Sequence, residues 1–376
     1  MAPSLLTEAD LAHLRRAIEL AEGGRGRVSP NPVVGAVVVD AGEVIGEGWH
    51  AELGGAHAEL AALEACRAAG ADPVGATMYV SLEPCAHHGR QPPCTDAILA
   101  AGISRVVIAS DDPTEKASGR GPGILRDEGV EVSFAEGAEA AVARLANQPF
   151  RKHARTGRPL VVLKSALSLD GFTATAGGDS KWISGVESRA TVHRWRADSD
   201  AIAVGIQTAL ADDPQLTARD VEAPEPRQPL RLVFDSDARL PTDSALVRSA
   251  AEVPVLVVAS DAAPADRTDA LRDAGVEVLA LPGDHGGRLR AALDELGRRR
   301  VTSLLLEGGA GLAGAFFDAG EVDELRLFIA PVLLGAGRPL AIRAGAGAVS
   351  EAERPLAVDW ERSGDDVLVR ARMREW

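Results

Sequence analysis

Two successive α/β domains are predicted by three features of the chain. Its 376 residues exceed what a single hydrophobic core usually serves. Apolar runs of strand length alternate with stretches of helical periodicity up to about residue 146, and the alternation restarts at 159. Between the two, ANQPFRKHARTGRPL (146–160) is polar, basic and broken by two prolines, the composition of an interdomain link. The expected domains are 1–147 and 158–376.

In the first half, ADLAHLRRAIELAE (9–22) repeats apolar residues at helical spacing and stops at Gly23-Gly24. VVGAVVVD and EVIGEGWH read as a hairpin turning at Ala41-Gly42. HAELAALEACRAAG is a helix, TMYVSL a strand, TDAILAAG a helix capped by Thr95, and SRVVIAS a strand. GILRDEG, VEVSF and AEAAVARLA complete a three-layer domain with a mainly parallel sheet. In the second half PLVVLKSAL, DAIAVG, QPLRLVFD, VPVLVVAS, VEVLAL, TSLLLEGG, DELRLFIAP and DVLVRARM read as strands, and VESRATVHRWRA as a helix.

A formal charge of −15 gives an average field that repels polyanions, so nucleic acid is not an expected partner. No apolar run reaches the ~20 residues of a membrane helix. MAPSLLTEAD opens an amphipathic stretch and not a basic, apolar leader, and there are three cysteines, so cytoplasm is the expected compartment. A cysteine cluster there reads as metal or catalysis before disulfide.

Two of those cysteines, Cys85 and Cys94, flank the loop in LEPCAHHGRQPPC (82–94), and His57 and Glu59 open the helix about 25 residues earlier. A catalytic zinc needs three nitrogen or sulfur ligands and one open position. His57, Cys85 and Cys94 supply that count, and Glu59 is placed to shuttle protons beside the bound water without ligating the metal. An isolated His-x-Glu is commonly only a helix-start feature, and two cysteines nine apart are weak alone; their joint order is far more specific. Cys66, among apolar neighbours, reads as a core thiol.

This order resembles the zinc-dependent cytidine-deaminase superfamily, with the departure that eight residues, AHHGRQPP, separate the cysteines where its pattern has two. The added loop offers His87, His88 and Arg90 as phosphate ligands, or as a solvated rim. EPCAHHGRQPPCTDAI, SPNPVVGAVVV (29–39) and GEGWHAELGGAHAE (46–59) together resemble the N-terminal half of the bifunctional riboflavin-biosynthesis deaminase/reductase family. The resemblance implies deamination of a phosphorylated diaminopyrimidinone ribosylamine, with zinc on His57, Cys85 and Cys94, proton transfer by Glu59 and substrate contacts from Asn31, His50 and His88. Asn31 suits this role, because its amide is both donor and acceptor and Pro30 and Pro32 stiffen its backbone.

In the second half, Lys164 interrupts an apolar strand, which requires an anion, a ligand or snorkelling. LLLEGGAGLAGAF places Gly309, Gly311 and Gly314 in a GxGxxG at a strand-to-helix junction, a phosphate cradle without the order of a Rossmann unit. These motifs resemble the reductase half of the same family, which is similar to dihydrofolate reductase and uses NADPH. The expected fold is therefore a cytidine-deaminase-like domain followed by a dihydrofolate-reductase-like domain. The resemblance turns Ala166, Thr173, Trp182, Thr208, Asp212, Ser236 and the loop Gly309, Ala310, Gly311, Leu312, Ala313, Gly314, Ala315 toward the dinucleotide. It turns Ser180, Arg196, Leu216, Arg219 and Glu307 toward substrate, with Arg196 and Arg219 on its phosphate, and sets Lys164, Asp212 and Glu307 around the reacting carbon.

The reading is a homo-oligomeric enzyme with Zn²⁺ and NADPH acting on a small phosphorylated pyrimidine. A nucleoside or nucleic-acid deaminase with an unrelated C-terminal domain is the first rival, disfavoured by the chain's acidity and lack of an aromatic-basic strip. A zinc-stabilised binding protein is the second, and would need a fourth ligand.

Overall fold

A computed structural model describes residues 6–87, 92–115, 117–221 and 227–376. The chain forms two compact units, residues 1–156 with Trp376 and residues 157–375. Among the described residues no helix is long and apolar enough to cross a membrane.

The first unit runs α1 (Glu8–Ala21), β1 (Gly35–Asp40), β2 (Glu43–Trp49), α2 (Ala58–Ala68), β3 (Thr77–Val80), α3 (Cys94–Ala100), β4 (Arg105–Ile108), α4 (Arg120–Asp127), β5 (Glu131–Phe134), α5 (Gly137–Ala146) and α6 (Gln148–Thr156). Its sheet has the order β2-β1-β3-β4-β5. The sheet is mixed, not mainly parallel: β1 is antiparallel to both β2 and β3, while β3, β4 and β5 are parallel. The cause is the hairpin at Ala41-Gly42, both left-handed with φ of 46° and 88°. It reverses the chain, and the β2-α2-β3 crossover then passes over β1.

α2 lies close against β2 because β2 offers no side chain at two positions. A Cβ on Gly46 would stand 2.4 Å from the Ala62 carbonyl oxygen, and one on Gly48 2.3 Å from the Ala62 nitrogen. That close approach fixes the start of α2, where His57 and Glu59 sit. Thr95, expected as a cap, is instead a buried residue inside α3, and Pro93 precedes that helix.

The expected link is largely the helix α6. Pro149 falls in its first turn, where a missing N–H breaks no helical bond. Two of its basic residues are buried: Lys152 is 2% exposed, and Arg151 is 1% exposed and donates to the Asp111 carbonyl at 2.9 Å, its carboxylate at 3.2 Å and the Trp376 carbonyl at 2.7 Å.

The second unit begins with β6 (Leu160–Ser168), β7 (Ala174–Thr175), α7 (Val186–Asp198), β8 (Ala201–Gly205), α8 (Ile206–Asp212) and β9 (Leu230–Phe234). It continues with α9 (Ala245–Arg248), β10 (Val255–Ser260), α10 (Ala265–Asp273), β11 (Glu277–Leu281), α11 (His285–Arg298), β12 (Ser303–Leu306) and α12 (Ala310–Asp318). β13 (Glu324–Ala330), β14 (Gly337–Arg338), β15 (Ala357–Ser363) and β16 (Asp366–Arg372) complete it. The nine-stranded sheet is ordered β11-β10-β9-β8-β12-β6-β13-β16-β15, parallel up to β13 and antiparallel beyond. Val161, Leu163, Ala203, Leu304, Leu306 and Phe316 are among the side chains of its core. β12 returns late to fill the place between β8 and β6, so three strands distant in sequence end side by side. Ligands of such sheets bind beyond carboxyl ends at a switch of this kind.

Candidate active sites

In the first unit two helix starts and one loop converge. His57 immediately precedes α2 and makes no capping bond with its side chain, Cys94 is the first residue of α3, and Cys85 follows β3. His57 Nδ1 lies 3.2 Å from Cys94 Sγ and 3.6 Å from Cys85 Sγ, and the two sulfurs are 3.4 Å apart. These edges approach the roughly 3.5–3.8 Å of a tetrahedron with zinc–sulfur bonds of about 2.3 Å and zinc–nitrogen bonds of about 2.0 Å. Among the described residues the cluster has three members, the protein-ligand count of a catalytic zinc site.

The surroundings favour thiolate at Cys85. Both helix starts present positive dipole ends, and the Cys94 backbone N–H points at Cys85 Sγ at 3.4 Å. Hydrogen bonding from Cys94, and then from His57, pulls the Cys85 thiol down to about 4, and the same contact pushes Cys94 up. Glu59 is 3% exposed; burial raises its carboxyl, with the Cys85 charge adding to the shift and a hydrogen bond with Cys94 opposing it.

Asn31 and His50 come together beside this cluster. His50 Nδ1 donates to the Ala56 carbonyl at 2.9 Å, which fixes the tautomer, and burial lowers its pKa. Nε2 is then an acceptor and takes the Asn31 amide N–H at 3.1 Å, leaving Asn31 Oδ1 to accept from a ligand. The His50 and His57 rings meet edge to face at 5.4 Å between centroids. Asn147 brackets the Asn31 segment through both backbone groups of Val33, at 2.9 Å each; nothing in the sequence pattern marks it. His87 is exposed, whereas His88 and Arg90 lie outside the described residues.

In the second unit the carboxyl ends of β6, β8, β9 and β12 open into one cavity of about 1320 Å³. Lys164, Ala166, Thr173, Ser180, Trp182, Arg196, Thr208, Asp212, Leu216, Arg219, Ser236 and Glu307 all line it. Of the glycine loop, Gly309, Ala310, Gly311, Leu312 and Ala315 reach it. Ala313 and Gly314 do not line it. Ala313 is fully buried in the core, and a Cβ on Gly314 would stand 2.0 Å from the Ile342 carbonyl oxygen, so that glycine serves packing. At Gly311 the same construction meets nothing within 4 Å, and α12 starts without a side-chain cap or an acidic residue in its first turn. Its N–H groups suit a diphosphate.

Lys164 does not snorkel to the surface. Its Nζ is 3.3 Å from Glu307 Oε2, and Arg196 holds the same carboxylate through Nε at 2.7 Å and Nη2 at 2.9 Å. Burial alone would raise Glu307, but the guanidinium and the ammonium outweigh it and hold the group at about 2. The fork of Arg196 is therefore occupied by a carboxylate, and its remaining contact is with the Thr217 carbonyl at 3.2 Å, so it is not set as a bidentate phosphate clamp. Arg219 is exposed, and among the described residues its side chain is bonded to the neutral Gln215 Oε1 and Thr217 Oγ1. His193, which the sequence reading passed over, joins it by donating Nδ1–H to the Thr217 carbonyl. The 215–218 turn that presents these groups is pinned by Arg231 on the Gln215 carbonyl and by Gln228 on both backbone groups of Ala218.

Residues 159–368 match the family model of the RibD C-terminal domain, and residues 7–110 that of the cytidine and deoxycytidylate deaminase zinc-binding region. A riboflavin biosynthesis protein RibD from Actinobacillus pleuropneumoniae is 40% identical over 97% of this chain and 96% of its own. The chain belongs to the RibD family. Solved RibD-type structures agree over almost the full length: a diaminohydroxyphosphoribosylaminopyrimidine deaminase/5-amino-6-(5-phosphoribosylamino)uracil reductase from Thermotoga maritima has a TM-score of 0.83 at 36% identity, covering 97% of this chain and 98% of that one. Acinetobacter baumannii RibD gives 0.84 at 36%, with 97% and 99% covered. As a RibD-family member the chain is a bifunctional deaminase and reductase of riboflavin biosynthesis, with a zinc-binding deaminase domain and a reductase domain that takes a nicotinamide cofactor.

Proposed function

We propose that the chain hydrolyses the ring amine of 2,5-diamino-6-ribosylamino-4(3H)-pyrimidinone 5′-phosphate and then reduces the ribosyl group to ribityl with NADPH, as a cytoplasmic homo-oligomer. Residues 1–147 carry the first reaction and 158–376 the second. The observation that carries this reading is the three-donor cluster His57, Cys85, Cys94 with the buried carboxyl of Glu59 beside it.

In the first reaction His57, Cys85 and Cys94 would hold a zinc, which when bound would lower the pKa of a coordinated water toward about 7. Glu59 accepts a proton at its carboxylate and returns it to the departing amine nitrogen, so that water adds, the carbon–nitrogen bond breaks and ammonia leaves. Asn31 Oδ1 accepts from an N–H on the pyrimidine edge, and the His50 bond keeps that oxygen turned to the ring. The raised pKa of Glu59 suits an acid that must hold the proton between the two transfers.

In the second reaction a bound reduced nicotinamide would supply the hydride that sugar carbon 1 of the opened imine takes up. The imine nitrogen needs a proton. Glu307, held ionised, cannot give one; Lys164, with one N–H on Glu307 and others toward the cavity, can. Glu307 thus holds the lysine in position, and Arg219 with His193 meets the substrate phosphate. Asp212 lies across from Lys181, 3.9 Å away, at the nicotinamide end.

Zinc content, ammonia release and oxidation of NADPH are followed together on the phosphorylated diaminopyrimidinone. The reading expects ammonia first and NADPH oxidation dependent on it. Ammonia released only from cytidine or a nucleic acid overturns it.

A further inference from the structure

QPLRLVFD (228–235) carries a single cation inside an apolar strand, and that cation is bonded to no carboxylate among the described residues. Arg231, on β9, is 0% exposed. Its Nη1 donates to the Gln215 carbonyl at 3.0 Å and to Ser249 Oγ at 2.8 Å. Its Nη2 donates to the Ser249 carbonyl at 3.1 Å, the Leu246 carbonyl at 3.4 Å and the Val253 carbonyl. Burial pulls the guanidinium down to about 10 from an ordinary 12.5, so it stays charged at neutral pH. A buried charge is unfavourable unless its hydrogen bonds are met, and here meeting them ties the carbonyls at the end of α9 to one residue of another segment, Gln215.

That segment has an uncommon backbone. Asp213, Leu216 and Asp220 have φ of 41°, 53° and 57°, the left-handed region that residues other than glycine seldom occupy. Such a conformation persists only where its surroundings impose it. Three side chains do so from outside the turn: Arg231 on the Gln215 carbonyl, Gln228 on the Ala218 N–H at 3.0 Å and carbonyl at 2.8 Å, and Asp213 Oδ1 on the first N–H of α9, that of Ala245, at 2.7 Å. Gln215 also reaches the other way, its Oε1 accepting from Arg219 Nη1 at 3.3 Å. One residue thus joins two arginines: its main chain is held by the buried one, and its side chain holds the one that lines the cavity. Arg231 and Gln228 do not line the cavity themselves. We propose that Arg231 and Gln228 are positioning residues of the reductase, which hold the 213–220 segment in the conformation that sets Leu216 and Arg219 against the phosphorylated end of the substrate. The proposal rests on the meeting of Arg219 with the substrate phosphate proposed above.

The test is reduction by the full chain of the phosphorylated ribosylamine that deamination leaves, and of its dephosphorylated form, in Arg231→Lys, Gln228→Ala, Arg219→Ala and the two double variants with Arg219→Ala. NADPH binding and melting temperature are measured beside it. Lysine keeps the charge at 231 but cannot hold Gln215 and the α9 carbonyls at once. Arg231→Lys and Gln228→Ala should each raise KM for the phosphorylated substrate on the order of 10-fold, while kcat, NADPH affinity and reduction of the dephosphorylated substrate change far less. Added to Arg219→Ala, neither should raise KM further, because all three act on one contact. Gln228→Ala leaves the buried charge in place and carries the test if Arg231→Lys does not fold. An unchanged KM in either folded variant overturns the role of that residue. KM rises that are equal for the two substrates, or that multiply with the effect of Arg219→Ala, make both residues merely structural and overturn the proposal while the reductase reading stands. If Arg219→Ala itself leaves KM for the phosphorylated substrate unchanged, the placing of the phosphate is wrong and the proposal falls with it.

Discussion

Arg196 and Glu307 form a bidentate ion pair at 2.7 and 2.9 Å beneath the cavity of the second unit, with Lys164 against the same carboxylate. Both partners are mostly buried, with side chains 14% and 7% exposed. Removing Arg196 leaves the buried carboxylate with Lys164 alone, a loss of at most about 3–5 kcal/mol, the cost of a fully uncompensated charge. Arg196→Ala should therefore lower resistance to urea by up to that amount, and Arg196→Lys, which cannot reproduce the fork, should lower kcat for reduction while ammonia release continues. An unchanged kcat in Arg196→Lys would show that the pair does not position the site.

The same carboxylate sets a pH dependence. Glu307 is depressed in the folded protein to about 2 from an ordinary 4.5. Its stabilising contribution is thus complete above about 4.5 and is lost as the pH falls toward about 2. Glu307→Gln should flatten the acid limb of the stability curve within that window, measured by thermal unfolding against the wild type. Parallel curves would assign acid sensitivity to other carboxylates.

Gly311 and Gly314 should part company when each becomes alanine. The Gly314 Cβ would collide with the Ile342 carbonyl, so Gly314→Ala should lower the melting temperature. The Gly311 Cβ meets no protein atom, so Gly311→Ala should melt normally yet bind the dinucleotide more weakly, as read by equilibrium binding. Two variants with the same melting temperature and the same affinity would remove this distinction.

The contrast between these glycines also marks what the sequence could tell. The candidate metal donors and the carboxyl beside them are legible because such chemistry demands particular residue types in a particular order, which His57, Glu59, Cys85 and Cys94 satisfy. The GxGxxG pattern locates a helix start but not which glycine faces ligand, since that depends on the later segment carrying Ile342. Arg196 reads as a phosphate clamp until Glu307, 111 residues away, is found in its fork. α6 was hidden by its composition: prolines and basic residues suggest a solvated link, yet Pro149 fits a first turn and Arg151 has buried carbonyl partners. β15 escaped the sequence reading although Val358 and Trp360 alternate with Asp359 and Glu361; both apolar side chains are exposed.

The three cysteines should divide cleanly. Cys66 is fully buried in an apolar cluster away from the donor set, so Cys66→Ala should keep zinc and cost only stability. Cys85→Ala or Cys94→Ala should lose zinc, as measured by atomic absorption on dialysed protein. Zinc retained without Cys85 or Cys94 would place the metal elsewhere.

The most direct measurement is zinc content and ammonia release in Glu59→Gln, an isosteric change at a buried position that removes the titrating group and leaves the ligands in place. The account predicts one zinc per chain, as in the wild type, with ammonia release lowered by about 10²–10⁴. Zinc retained with full turnover would contradict it, because another group would then have to carry the proton to the departing nitrogen.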